Sequence, residues 1–214
     1  MTTPGSAESM VTEAWARIDT WLSAHAPFDL ALLNPPADPA AVADAQVEMG
    51  LRFPPELIAS FACHDGLRRW ANMFPMQPPR PIAQIVEHWR MCVKINQDLT
   101  NNDDTLTDDA EPWWHPQWIP WAEVDGDAQV IDMRDGPDRG AVRMTCHDDV
   151  GLDTGWPSLG SYLTEVADVL DNGGVVKNYW TPYLTRRSEL WWAPVGETEL
   201  NGEPLTPAPR TVVP

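Results

Sequence analysis

Twenty-two of the 214 residues are proline, and no other property of this chain limits its fold as much. Proline fixes φ and lacks an amide donor, so it ends helices, opens them at their first position and stays out of central strands. A chain interrupted this often is confined to short elements joined by firm loops. Pro27 ends a first predicted helix, Val11 to His25, in which Trp15, Ile18 and Leu22 recur at helical spacing beside Trp21. Pro39 takes the first position of a second helix, behind the N-cap residue Asp38 and ahead of the stop residue Gly50, with Val42, Ala45 and Met49 inward. Pro55 opens a third that ends near Ala62, with Leu57, Ile58 and Phe61 inward and Gly66 closing the turn. The Pro-rich stretch from Phe74 to Pro81 leads into an amphipathic helix whose face is Ile82, Ile85, Trp89, Cys92 and Val93, with Ile95 off it.

Beyond an acidic segment from Asp98 to Glu111, read as a mobile surface loop, the period changes to that of strands. Trp118 to Val124 and Gln129 to Met133 flank Asp125-Gly126-Asp127, a hairpin turn composition. Gly140 to His147 follows, alternating Val142, Met144 and Cys146 on one face. Ser158 caps a helix carrying Leu159, Tyr162, Leu163, Val166, Val169 and Leu170, which Gly173-Gly174 terminates. Residues from Val175 to Ala193 suit extended structure. Helices, then a run of strands, then a helix is an α+β order, and strands joined by short turns pair as antiparallel neighbours. The expectation is a single domain over residues 11–195, with a disordered N-terminus at 1–10 and a loosely attached Pro-rich tail at 196–214.

Charge narrows the function classes. Against 32 Asp and Glu stand 14 Lys and Arg, a formal net charge of −18, which repels phosphate backbones and anionic lipid surfaces and attracts a basic partner. No nucleic-acid or membrane partner is expected; solubility alone is the other reading of the same charge. The three cysteines, Cys63, Cys92 and Cys146, are widely spaced and form no disulfide framework, which suits a reducing compartment. The N-terminus has neither the basic nor the apolar region of a secretory signal, and no apolar run approaches the roughly 18 residues of a membrane span. A cytoplasmic location is expected.

The candidate chemistry is sparse. His64-Asp65 and His147-Asp148 invite comparison with metal-dependent His-Asp phosphohydrolases, but they fall at a helix end and a strand end, where Asp accepts backbone hydrogen bonds. Cys63-His64 with Cys146-His147 would offer zinc donors, yet no Cys-x₂₋₄-Cys spacing accompanies them, and buried cysteine acting as a small hydrophobe is the reading adopted. There is no Gly-x-Ser-x-Gly elbow and no P-loop. The pairs Asp103-Asp104 and Asp108-Asp109 lie in the acidic loop, without the walled cleft that would split their pKa values for glycoside hydrolysis. No catalytic residue, cofactor or metal is expected. In Trp113-Trp114-His115-Pro116-Gln117-Trp118-Ile119-Pro120-Trp121, Trp118 and Trp121 belong to the core. Trp113 and Trp114, beside carboxylates, suit either a contact hot spot or a cover over the core.

Three segments together resemble the SUKH superfamily, in its Smi/Knr cell-wall-assembly-regulator-like branch. They are Leu33-Asn34-Pro35-Pro36-Ala37-Asp38-Pro39, then Glu48-Met49-Gly50-Leu51-Arg52-Phe53-Pro54-Pro55-Glu56-Leu57, then Cys63-His64-Asp65-Gly66. Later pieces are similar in the same order: Trp118-Ile119-Pro120, Val130-Ile131-Asp132, Gly140-Ala141-Val142 and Trp156-Pro157-Ser158-Leu159. The resemblance runs from about Trp15 to Leu170 and departs at 74–81, at the acidic loop and after Gly174. It implies a mainly antiparallel sheet flanked by helices and a protein that acts by protein contact, with no catalytic residues to carry over. The leading expectation is an immunity protein that neutralises a basic toxin domain such as a nuclease. The contact surface is placed at Asp98, Asp103, Asp104, Asp108, Asp109, Glu111, Trp113 and Trp114. A regulatory scaffold for a cellular protein is the second reading, and a metal-dependent hydrolase the third.

Overall fold

The computed structural model describes residues 4–102, 112–149 and 152–211. Five helices come first: α1 (Pro4–His25), α2 (Pro27–Leu30), α3 (Pro39–Met49), α4 (Pro55–Cys63) and α5 (Ile82–Asn102). Strands β1 (Trp118–Val124), β2 (Asp127–Asp132), β3 (Val142–Thr145) and β4 (Asp153–Trp156) form an antiparallel meander in sequence order, and α6 (Leu159–Asn172) follows. Next come β5 (Trp180–Leu184), β6 (Leu190–Pro194), the small hairpin β7 (Glu199–Leu200) and β8 (Glu203–Pro204), and β9 (Thr206–Pro207). A second sheet has the order β6-β5-β9. The α+β class with antiparallel sheets is as expected. Among the described residues no helix is long and apolar enough to cross a membrane.

The punctuation residues act as their chemistry requires. Asp38 accepts the Ala40 amide at 2.9 Å, with Pro39 first in the helix and Gly50 at φ 65°, so α3 runs from cap to cap. Ser158 accepts the Ser161 amide and caps α6. The turn between β1 and β2 places Asp125 at φ 52° and Gly126 at φ 94°, the left-handed pair of a two-residue hairpin loop. Gly66 has a stricter role. At φ +63° its Cβ would fall 2.3 Å from the Arg80 carbonyl carbon, so only hydrogen fits where the α4 exit meets the chain entering α5.

One core joins α1, α4 and α6 to the inner face of the meander. Val11, Ala14, Trp15, Ile18, Trp21 and Leu22 bury one stripe of α1, which packs on α6 through Leu159, Leu163, Val166 and Leu170. Inside it, the Trp15 indole donates to Ser60 Oγ at 3.0 Å, and the Tyr162 hydroxyl donates to the Pro75 carbonyl at 3.1 Å. The Pro-rich 74–81 segment lies along β1: the Arg80 amide donates to Trp121 O and the Glu123 amide to Pro78 O. It therefore covers an edge that would otherwise offer unpaired ladder groups.

Five expectations are corrected. The first helix begins at Pro4, inside the stretch expected to be disordered, because its opening turns are small and polar and carry no hydrophobic period. Ile58 is 42% exposed while Ser60 is buried, since the inward face of α4 runs through Leu57, Ser60 and Phe61. Cys146 is exposed and Cys63 half-buried, leaving Cys92 as the buried thiol. The pleat of β3 stops at Thr145, so alternation does not extend to Cys146. The tail is firmly attached: β9 pairs with β5, the Trp21 indole donates to Pro209 O at 3.0 Å, and Thr211 bonds Asp171 through both its amide and its hydroxyl. Two-residue strands among prolines have no periodic signature.

Candidate protein-binding surface

The segment leading into β1 is strapped down at three points. The Trp89 indole donates to Pro116 O at 2.9 Å, Asn96 Oδ1 accepts the Trp114 amide at 3.1 Å, and the Trp113 indole donates to His147 O at 2.8 Å. Trp114 is 1% exposed and stacks edge-to-face on Trp118 at 5.7 Å in a small core with Cys92, Ala128 and Val130. Of the two readings of this indole, the cover over the core describes its position. Trp113 is half-buried at the rim, and Asp98 is exposed on the last turns of α5. Asp103, Asp104, Asp108, Asp109 and Glu111 lie outside the described residues. Burial pushes the Cys92 thiol up to about 12, so it stays protonated as packing material.

A second surface went unnoticed in the sequence. Trp70 is 53% exposed and meets Trp191 edge-to-face at 6.2 Å; Phe28 is 50% exposed, with the Arg69 guanidinium 5.2 Å above its ring. Together they rim a cavity of about 180 Å³. Its floor is Asp29, 2% exposed, whose Oδ2 accepts the Leu190 amide at 2.6 Å. Burial holds this carboxyl above the ordinary carboxylate range, and the neighbouring Glu189 adds to the shift. Trp, Phe and Arg rimming a concave patch is the composition of a contact hot spot. The sequence signal was Arg68-Arg69-Trp70 directly after the Gly66 turn, two cations and an indole in an acidic chain.

The two His-Asp pairs do separate jobs. His64 bonds Asp19 and Asn34 O, while Asp65 Oδ1 accepts the Ile82 amide at 2.7 Å and so holds the start of α5. His147 bonds Asp127 instead. They hold different turns: Asp65 accepts a backbone amide as the loop reading expects, whereas Asp148 accepts the Cys146 thiol.

A family model described as SMI1 / KNR4 family (SUKH-1) matches residues 36–165, more than half of the 214-residue chain. The matched span holds α3 through β4 and the first turns of α6. No curated protein sequence matches the chain.

Proposed function

We propose, on the premise that this chain belongs to the SMI1/KNR4 family (SUKH-1), that it works by binding another protein and is an immunity protein for a basic toxin domain such as a nuclease. The family includes immunity proteins and cell-wall-related regulators. The observation that carries the choice between them is the charge of −18. A field of that sign accelerates encounter with a cationic domain and disfavours acidic competitors. The contact surface in this reading is the acidic segment from Asp98 to Glu111 together with the rim indole of Trp113, which Trp114 supports from the core. A cytoplasmic site of action follows from the same reading.

Co-expression tests it. Each reading frame neighbouring the gene is expressed with and without this chain, and one of them should be toxic only in its absence. The purified pair should then dissociate more readily as salt rises, because surface complementarity is screened beyond about 8–10 Å at physiological ionic strength. If no neighbour is toxic, the immunity reading fails.

The aromatic notch at Phe28, Trp70 and Trp191 favours a second reading, a regulatory scaffold docked by apolar contact. That reading expects a salt-insensitive complex with a cellular protein.

A further inference from the structure

Asp127 opens β2 and Cys146 immediately follows β3, and the register pairs Ala128 with Thr145. The next position outward therefore sets Asp127 opposite Cys146, with side chains on one face. His147 turns back over the hairpin. Its amide and its Nδ1 both face Asp127 Oδ1, at 2.9 and 2.8 Å. Its Cβ occupies the space where a side chain on Gly126 would begin, 3.2 Å away. The Cys146 thiol donates to Asp148 Oδ1 at 2.8 Å. One carboxylate oxygen, one thiol sulfur and one imidazole nitrogen thus lie within 4.8 Å of one another at the end of the meander.

We propose that Asp127, Cys146 and His147 form a binding site for a divalent transition cation, zinc by preference. A mixed sulfur, nitrogen and oxygen set selects zinc over magnesium or calcium, which take oxygen ligands. Tetrahedral zinc with bonds of about 2.0–2.3 Å spaces its ligands roughly 3.3–3.7 Å apart, and exposed side chains reach that spacing by small rotations. The fourth position falls to water or to Asp148. When the cation enters, the Cys146 thiol gives up its proton and His147 offers an unprotonated Nδ1 with its one hydrogen on Nε2, so binding is weaker in acid, where both groups hold extra protons. The bound ion ties the ends of β2 and β3 to the strand of chain held by Trp113, whose indole donates to His147 O. Neither the sequence spacing nor a pairing of Cys63 with Cys146 reveals the site, because its third ligand comes from the opposite strand.

Cobalt(II) added to the reduced full-length chain is the test, since a thiolate ligand gives a sulfur-to-cobalt charge-transfer band in the near ultraviolet. One equivalent of cobalt should saturate the band, and zinc should displace it. Cys146→Ser should abolish the band, His147→Ala should weaken binding, and Cys63→Ser should leave it unchanged. Cys146 and His147 are exposed, so these variants should keep the wild-type circular dichroism. A chain that gives no band at millimolar cobalt carries only a hydrogen-bonded turn here. A band that survives Cys146→Ser also overturns the proposal.

Discussion

The imidazole of His64 stands against the carboxylate of Asp19, Nε2 to Oδ2 at 3.0 Å, while its Nδ1 meets the carbonyl oxygen of Asn34 at the same distance. Both ring nitrogens face acceptors, so the doubly protonated ring is the form the site satisfies. Burial opposes that charge and is the largest single influence, but the bonds to Asp19 and Asn34 and the charge of Asp19 together raise the pKa above 6.5. A base raised on folding contributes stability that is whole below its unfolded value, about 6.5, and lost as pH climbs through the folded one. His147 shifts in the same direction beside Asp127. His88 is lowered, chiefly by burial, and acts below that window. The melting temperature should therefore fall as pH rises above about 6.5, and His64→Gln should flatten part of that slope. An unchanged slope in the variant would remove this ion pair from the account.

Two glycines with nearly the same φ should respond differently to alanine. Gly50 at +65° has open space around its missing Cβ, whereas Gly66 at +63° has the Arg80 backbone 2.3 Å away. Gly50→Ala should cost about 1–2 kcal/mol, the left-handed penalty alone. Gly66→Ala must also push two chain segments apart and should cost clearly more by urea denaturation.

Tyr162→Phe isolates one buried hydrogen bond. It leaves the ring packed against Trp121 and Trp156 but strips the Pro75 carbonyl of its donor. A loss of about 1–3 kcal/mol is expected from an unsatisfied buried acceptor, read as a shift in the denaturation midpoint with the slope unchanged.

Removing residues 203–211 should destabilise the whole domain, because β9 pairs with β5 and the Trp21 indole donates to Pro209 O. The truncated chain should melt lower and show red-shifted tryptophan fluorescence. A tail of the loose kind expected from composition would leave both unchanged.

At the aromatic notch, Trp70→Ala should leave stability within about 0.5 kcal/mol, since the ring is half exposed. Where the notch is the docking point, the same change should weaken the partner complex by at least about 2 kcal/mol, roughly thirtyfold. Calorimetry on the partner recovered by co-expression measures it.

Elements with their own caps were legible from the chain. Asp38, Pro39 and Gly50 bound α3 with local chemistry alone, and Asp125-Gly126 announces its hairpin through left-handed backbone angles. The periodic faces of α1, α5 and α6 were legible too, because burial repeats with the helix. What escaped depends on distance along the chain. Phe28, Trp70 and Trp191 meet only when α2, the loop after Gly66 and β6 have packed. Asp127 becomes a neighbour of His147 only through strand register. Cys146 was misplaced by extending an alternation one residue past the strand that produces it.

The attachment of the C-terminal segment to α1 also orders events in time. The Trp21 indole and Asp171 take their partners from Pro209 and Thr211, and the first of these contacts joins residues 188 positions apart. Closing a loop of that length carries an entropy cost that shorter loops avoid. The α1–α6 face is therefore expected to be sealed among the last steps of folding.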